Sequence, residues 1–147
     1  MKKTRQITAI IEREGDGYVA LCPELDIASQ GETVESARRN LIEAVELFLE
    51  TADPSEVQRR CTRKSSLPAL RLHLGRLRAL SGREVCQILA CNGFTEVRRR
   101  GSHVIMQKRA SGSTVTVPVP DHREIRLGTL QSIIRQSQLP RSEFESR

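Results

Sequence analysis

The sequence predicts an α+β protein built from two small domains, and three observations support this. Strand-like and helix-like segments follow the order β-β-β-α-β over residues 1–75 and α-β-β-β-α over residues 76–147. A chain of 147 residues is long enough for one ordinary domain or two small ones. The charge also changes sign along it: residues 1–57 carry 6 Lys/Arg and 12 Asp/Glu, whereas the remainder carries 18 and 6. This polarity indicates two modules that attract one another, the second suited to polyanions.

The first module begins with a predicted β-hairpin. In RQITAIIERE the apolar residues Ile7, Ala9 and Ile11 alternate onto one face, and the glycines of Gly15–Gly17 mark a turn. The segment YVALC then resumes a strand, and a third short strand follows over IASQG.

A helix is predicted after these strands. Thr33 is a suitable N-cap residue, and the helix should end near Asp53 and Pro54, because the residue before a proline disfavours helix. The apolar positions keep a 3.6-residue spacing. They are Val34, Ala37, Leu41, Val45, Phe48 and Leu49.

The rest of the first module is less regular. Residues 54–66 are polar and basic with no sustained period, whereas Leu70, Leu72 and Leu74 alternate like a last strand. The domain boundary is therefore predicted near Gly75.

The second module opens with the segment LSGREVCQILACNGF. Ser81 and Glu84 have the spacing of a capping box, and Asn92 and Gly93 supply a stop signal. Between them Val85, Ile88 and Leu89 form an apolar stripe, so we expect a short amphipathic helix.

Three strands and a helix complete the second module. The strands are predicted at Thr95–Arg100, His103–Arg109 and Thr114–Val119, in an antiparallel meander. Pro118 lies within the third of them and favours an edge position. The closing helix is predicted over GTLQSIIRQSQL, before Pro140.

Composition excludes several classes of protein. No stretch approaches the roughly 20 apolar residues of a membrane span, and the start of the chain lacks the pattern of a signal peptide, so a cytoplasmic protein is expected. Its four cysteines, Cys22, Cys61, Cys86 and Cys91, should then be reduced. Cys86 and Cys91 point to different faces of one helix, so we expect buried thiols, no metal site and no cofactor.

Several segments of the second module together resemble the HicA family of bacterial and archaeal toxins. They are LSGREVCQILACNGF, RRRGSHVIMQ, TVTVPVP and LGTLQSIIRQSQL, and the resemblance covers about residues 76–140. It implies a fold like the double-stranded RNA-binding domain and a ribonuclease that cuts messenger RNA. It also implies that the catalytic histidine is His103, in the turn formed with Gly101 and Ser102.

The first module resembles the HicB antitoxin over about residues 5–75. The recognisable features are CPELD, SQG and the helix start at Thr33. This likeness implies a ribonuclease H-like module that binds the toxin and covers its active site, within one chain or between two. The family normally encodes toxin and antitoxin separately, and longer antitoxins carry a DNA-binding module for which this chain has no room, so DNA binding is not expected.

The expected chemistry needs no metal. An imidazole with a pKa near 6.5 can take or give the proton of the RNA 2′-hydroxyl, which then attacks the adjacent phosphorus. Arg100 or Lys108 could stabilise the phosphate and Ser102 could orient it. His122, in a polar loop, is expected to be an exposed, solvated imidazole rather than the second acid or base.

The predicted RNA-binding residues are Arg99, Arg100, Gly101, Ser102 and Lys108. The neighbouring arginines should divide between the two faces of a strand, so not all of them can touch RNA. The low aromatic content argues against stacking of unpaired bases. Recognition of the RNA backbone is therefore expected.

The sequence leaves alternatives open. A non-catalytic RNA-binding protein with a docking or dimerisation module would share the same charge pattern, and a DNA-binding repressor is the weaker choice because no helix-turn-helix pattern is present. The oligomeric state is left open, with a homo-oligomer as one of the alternatives.

The charge pattern also predicts how the modules meet. The acidic helix face with Glu43, Glu46 and Glu50, or the loop with Glu24 and Asp26, should contact basic residues of the second module, beside an apolar contact.

Overall fold

Two three-stranded antiparallel sheets and their helices make up the chain in a computed structural model, which describes residues 6–62 and 77–145. This confirms the predicted α+β class with two small domains. The elements are β1 Ile10–Glu14, β2 Gly17–Cys22, β3 Ile27–Gly31, α1 Val34–Thr51, α2 Pro54–Thr62, α3 Gly82–Cys91, β4 Thr95–Arg100, β5 His103–Ala110, β6 Ser113–Pro120, α4 Leu127–Ser137 and a short 3₁₀ helix at Arg141–Phe144.

The first domain packs α1 against the sheet β1-β2-β3. Strand β1 pairs with β2 only from Ile10 onward, so it is shorter than predicted. Ile7 is exposed and outside the strand, and only Ile11 of the predicted apolar face packs against the core. The strand begins late because the backbone N–H of Thr8 bonds to the side chain of Glu24 at 2.9 Å rather than to a neighbouring strand.

Helix α1 begins and ends where its sequence predicts. The Thr33 side chain accepts a hydrogen bond from the backbone N–H of Ser36, and the Ser36 hydroxyl accepts one from the N–H of Thr33, both at 3.0 Å. The helix ends at Thr51, and Ala52 is already extended. Four of the six predicted apolar residues face the first core at the expected spacing: Ala37, Leu41, Val45 and Phe48. Val34, the first residue of the helix, and Leu49, in its last turn, are instead 41% and 44% exposed.

Helix α2 corrects the expectation that residues 54–66 lack regular structure. Residues 54–62 are helical, and the one buried side chain that this helix contributes is Glu56, which pairs with Arg60 one turn later at 2.8 Å. A helix that buries an ion pair has no apolar stripe, so hydrophobic periodicity could not reveal it. The proline at its first position suits a helix start.

The predicted last strand of the first module, at Leu70–Leu74, and the boundary near Gly75 both lie outside the described residues. The same holds for residues 63–66 of the polar basic segment.

The second domain has the order α-β-β-β-α over its described residues. The capping box of α3 is present: the Ser81 hydroxyl accepts from the Glu84 N–H at 3.1 Å, and the Glu84 carboxylate accepts from the Ser81 N–H at 2.8 Å. Asn92 ends the helix, and Gly93 follows with a left-handed φ of 92°. Strand β6, with Pro118, lies at an edge of the sheet β4-β5-β6 as predicted.

Helices α3 and α4 cover one face of this second sheet. The core there combines Val85 and Leu89 of α3 with Leu130 and Ile133 of α4. Alternate strand residues complete it: Val104, Met106, Val115, Val117 and Val119. The other alternate residues of β5, including His103 and Gln107, therefore point away from α3 and α4.

The first domain lies on the opposite face of the sheet β4-β5-β6, the one that α3 and α4 do not cover. The Gln107 side chain donates to the backbone carbonyl of Thr51, at the end of α1, at 2.7 Å. Leu47 of α1 and Ile105 of β5 are completely buried, yet neither is part of the two cores of the described chain. Because α1 packs against β5, we infer that these two residues form the apolar centre of the contact between the domains.

The cysteines of α3 differ from the expectation of buried thiols. Cys86 is half-buried, and burial raises its pKa to about 11. Cys91 is exposed because it is the last residue of the helix, beyond the apolar stripe.

None of the described helices has the length and apolarity needed to span a membrane.

Candidate active site

The turn between β4 and β5 positions the candidate histidine. Arg100 and His103 are paired residues at its two ends, and Gly101 adopts a left-handed φ of 57°. This conformation favours glycine. The turn thereby directs the Ser102 backbone N–H and the His103 ring toward the first domain.

Both ring nitrogens of His103 bond to the first domain. Nδ1 lies 2.7 Å from Oε1 of Glu43 on α1, and Nε2 lies 2.9 Å from the hydroxyl of Ser29 on β3. Because a carboxylate only accepts, we assign the ring proton to Nδ1, so that Nε2 accepts from Ser29. The His103 side chain is completely buried. In this arrangement no ring nitrogen is free to meet another molecule.

Glu43 also binds the backbone of the turn. Its Oε1 accepts from the Ser102 N–H at 2.9 Å and lies 3.3 Å from the Ser102 hydroxyl. A Cβ atom at Gly101 would collide with the carboxylate of Glu43. Glycine is therefore needed at this position for backbone conformation and for the close approach of the carboxylate.

Burial and hydrogen bonding shift the pKa values of His103 and Glu43 in opposite directions. Burial lowers the pKa of His103, and the hydrogen bond and charge of Glu43 only partly oppose this. Burial would raise the pKa of Glu43, but hydrogen bonds from His103 and Ser102 outweigh it and lower the pKa. The site therefore holds an ionised carboxylate beside a histidine that resists protonation.

The three arginines of β4 divide between two faces, as predicted. Arg98 pairs across the sheet with Ile105 and Arg100 with His103, so both point toward α1. Arg98 lies 2.7 Å from Glu50, and Arg100 lies 3.2 Å from Glu50 and 3.7 Å from Glu46.

Arg99 points the other way. It pairs across the sheet with Val104 of the core face and binds Glu96 at 3.1 Å and Asp121 at 2.9 Å, all within its own domain. The structure therefore does not bring Arg99 to His103.

Lys108 is also distant from His103. It lies five residues along β5, about 16 Å away, on the core face of the sheet. Its ammonium group lies 5.8 Å from the centre of the Phe94 ring. Of the predicted RNA-binding set, the structure gathers Arg100, Gly101 and Ser102 around His103. It adds Arg98, which the two-residue alternation of β4 could have identified.

His122 is not the exposed imidazole expected from its loop. It is half-buried, with Nδ1 3.4 Å from the side-chain nitrogen of Gln30 in the first domain. Burial lowers its pKa. The reason is tertiary: the loop that carries His122 faces β3, and the Gln30 side chain also donates to the backbone carbonyl of Glu124 at 2.8 Å.

A second group of contacts joins the first domain to α4. Both carboxylate oxygens of Asp26 bind Arg135 at 2.9 Å. The Glu14 carboxylate accepts from the first two backbone N–H groups of α4, at 2.8 and 2.9 Å, and thus caps that helix from the other domain. The predicted meeting of acidic and basic groups is confirmed for Glu46, Glu50 and Asp26. Glu43 bonds to the Ser102 N–H and to the His103 ring. Glu24 instead bonds within the first domain.

The described residues offer no evident metal centre. Over residues 6–62 and 77–145, no group of three or more His, Cys, Asp or Glu side chains is placed to hold an ion. The chemistry available at the turn is that of an imidazole, a backbone N–H, a hydroxyl and two guanidinium groups.

Comparisons with known proteins agree with this second domain. A family model described as the HicA toxin of bacterial toxin–antitoxin systems matches residues 82–139. HicA toxins are endoribonucleases that cleave messenger RNA and pair with antitoxins, so the match indicates a toxin module of the ribonuclease kind. No solved structure matches the chain significantly.

Two curated relatives match a shorter part of the chain. A UPF0150 protein of Helicobacter pylori is 42% identical over 52 residues, which cover 35% of this chain and 72% of the relative. A UPF0150 protein of Synechocystis is 44% identical over 52 residues, which cover 34% of this chain and 66% of the relative. The chain therefore belongs to the UPF0150 family, and its residues 82–139 form a HicA toxin domain.

Proposed function

We propose that this chain is a toxin–antitoxin fusion in which a metal-independent endoribonuclease is held latent by its own antitoxin. Residues 76–147 are the toxin module, with His103 as its catalytic residue, and residues 1–75 are a HicB-like antitoxin module. One observation carries the proposal: both ring nitrogens of a completely buried His103 bond to the first domain.

The proposed reaction uses His103 as a general base or acid. When α1 is displaced from the turn, the imidazole takes the proton of an RNA 2′-hydroxyl, whose oxygen attacks the adjacent phosphorus and displaces the 5′-oxygen of the next nucleotide. The products are a 2′,3′-cyclic phosphate and a 5′-hydroxyl, whose proton comes from water, and the imidazolium returns its own proton to water. The Ser102 N–H and Arg100 are placed beside the ring to stabilise the negative charge that develops on the phosphate. Proton transfer of this kind typically contributes about 10²–10⁴-fold to the rate.

Latency follows from the cover that the first domain places over His103. Helix α1 lies over His103, Arg98 and Arg100, and α2 continues the contact along β6. Because the two modules share one chain, the antitoxin acts at an effective concentration of the order of millimolar. RNA must displace α1 before it can reach the histidine.

The HicB-like assignment of the first module rests on its residues and its position. It has the β-β-β-α order of the described strands and helix, it is acidic, and its helix lies on the candidate active site. These features support an antitoxin role.

A substitution at the apolar centre of the contact tests the proposal in the full chain. Leu47→Asp places a charge where the side chain is completely buried. We therefore expect it to separate α1 from the second sheet, so that the protein cleaves RNA in the presence of EDTA. Leu49→Asp is the matched control, because Leu49 is on the same helix but 44% exposed. It should stay as inactive as the wild type.

The double variant Leu47→Asp/His103→Ala decides the role of the histidine. We expect it to bind RNA without cutting it. If Leu47→Asp binds RNA but never cleaves it, the chain is a non-catalytic RNA-binding protein. Cleavage that persists in the double variant would assign the chemistry to another residue.

A further inference from the structure

We propose that the carboxylates of α1 mimic RNA phosphates. Glu43 then occupies the binding site, here called the seat, of the scissile phosphate, and Glu46 and Glu50 occupy the seat of a neighbouring phosphate. The inference rests on the proposed function and deepens it: it names which groups of the toxin module hold the RNA backbone and makes inhibition a competition for them.

The first seat is a set of donors around one carboxylate. The Ser102 N–H, the Ser102 hydroxyl and His103 Nδ1 lie 2.9, 3.3 and 2.7 Å from the same oxygen, Oε1 of Glu43. Backbone N–H groups and short hydroxyl side chains are common ligands of nucleic-acid phosphates. Glycine at position 101 leaves the space that the anionic group fills. A phosphodiester accepted by these donors would have its phosphorus beside the His103 ring.

The second seat is formed by two guanidinium groups on one face of β4. Arg98 and Arg100 share Glu50, and Arg100 also reaches Glu46. Guanidinium groups bind carboxylates and phosphates with the same planar set of donors. The two arginine side chains are 44% and 40% exposed, so their charges stay within reach of a polyanion.

The spacing of the carboxylates matches a continuous anionic strip. Glu43, Glu46 and Glu50 are three and four residues apart, so they follow one face of the helix over about 10 Å. Each contacts a donor of the second domain. Glu35, on the same helix, is exposed and lies in its first turn, away from this strip. The acidic residues of α1 are thus placed where the toxin module offers its donors.

Mimicry has a consequence that simple steric cover lacks. If Glu43 stands in for a phosphate, a small phosphate ion should bind the seat once the carboxylate is removed, even while α1 stays in place. Glu43→Ala creates that vacancy next to Ser102 and His103. Glu43→Gln keeps an acceptor oxygen and fills the same space, so it is the matched control.

The experiment is a titration of the full chain with inorganic phosphate, followed by nitrogen-15 NMR. In Glu43→Ala we expect the Ser102 backbone amide and the His103 ring signals to shift and saturate in the millimolar range. In the wild type and in Glu43→Gln they should not shift. Failure of these signals to shift in Glu43→Ala, while its other amide signals match the wild type, overturns the inference.

A second measurement tests the neighbouring seat. A 2′-O-methyl RNA oligonucleotide lacks the attacking hydroxyl, so it reports binding without cleavage. We expect Glu46→Gln/Glu50→Gln to bind it about three- to tenfold more tightly than the wild type does, because exposed ion pairs that compete with RNA are lost. Glu35→Gln should bind like the wild type. Equal binding by the double variant and the wild type would contradict mimicry at Arg98 and Arg100.

The outcomes separate this inference from the proposed function. If Leu47→Asp cleaves RNA through His103 but phosphate does not bind Glu43→Ala, the latent ribonuclease stands and mimicry fails. If phosphate binds Glu43→Ala but Leu47→Asp never cleaves RNA, the phosphate seat stands and the ribonuclease fails.

Discussion

Removal of the buried carboxylate of Glu56 should destabilise the chain more than removal of any acidic partner at its surface. Glu56 is completely buried and accepts four hydrogen bonds: from the Thr114 hydroxyl at 2.8 Å, from the Thr116 N–H at 2.9 Å, from the Thr116 hydroxyl at 2.7 Å and from Arg60 at 2.8 Å. The carboxylate thus joins α2 of the first domain to the edge strand β6 of the second. Glu56→Ala leaves all four donors without this acceptor.

The loss of unfolding free energy depends on how well Arg60 is accommodated once Glu56 is removed. Loss of one partner of a buried ion pair typically costs about 3–5 kcal/mol, because the other charge remains buried and uncompensated. The Arg60 side chain is only 10% exposed. It keeps the Leu25 carbonyl at 3.1 Å, the Gln136 side chain at 2.9 Å and the face of the Phe48 ring at 4.4 Å. We therefore expect a loss near the lower end, about 3 kcal/mol.

The assay is urea unfolding of the full chain, with Glu50→Ala as the control. Glu50 pairs with Arg98 and Arg100 at a half-exposed position, so its loss should cost no more than about 1 kcal/mol. The double variant Glu56→Ala/Arg60→Ala should lose less than the sum of its single variants, because it leaves no unpaired charge. A free energy of unfolding for Glu56→Ala that equals that of Glu50→Ala would refute this account.

Three further predictions concern Gly101 in the turn, the protonation of His103 and the cap of α4. Gly101→Ala should lower the free energy of unfolding more than Gly112→Ala: both positions have positive φ, but a new Cβ meets the Glu43 carboxylate at position 101 and nothing within 4 Å at position 112. Equal losses in urea would contradict the close approach of Glu43. Because burial lowers the pKa of His103, the closed chain binds fewer protons than the unfolded one, so stability is full above about pH 6.5 and declines as the pH falls. Urea unfolding between about pH 7.5 and pH 5.5 should therefore show a larger loss for the wild type than for His103→Gln, and parallel losses would exclude the histidine as the cause. Glu14→Ala removes the carboxylate that caps α4 and should cost about 1 kcal/mol, whereas an unchanged urea midpoint would show that the cap is not needed.

Local signals in the sequence predicted most of the fold. The caps at Thr33 and Ser81 are present because the hydroxyl and its partner three residues later lie within one turn. The strands of the second domain fall within a residue of their predicted bounds because each is preceded by a turn with glycine. Such features depend only on neighbours in the chain.

Features that depend on distant residues were not predictable in the same way. Helix α2 was missed because its burial comes from Glu56 and Arg60 rather than from apolar residues. Residues 60 and 74 positions away in the chain supply the bonds of His103 to Glu43 and Ser29, and nothing in the spacing of the sequence links them. The resemblance to HicA directed attention to His103, whereas only the fold shows what covers it.

The most direct test of latency is RNA cleavage in EDTA at low salt by three purified proteins. They are the whole chain, residues 76–147 alone, and that fragment with His103→Ala. We expect only the unsubstituted fragment to cut RNA, because it alone has a free His103 and no first domain over it. A fragment that binds RNA but never cuts it, or a whole chain that cuts as fast as the fragment, would contradict a ribonuclease sealed by its own antitoxin.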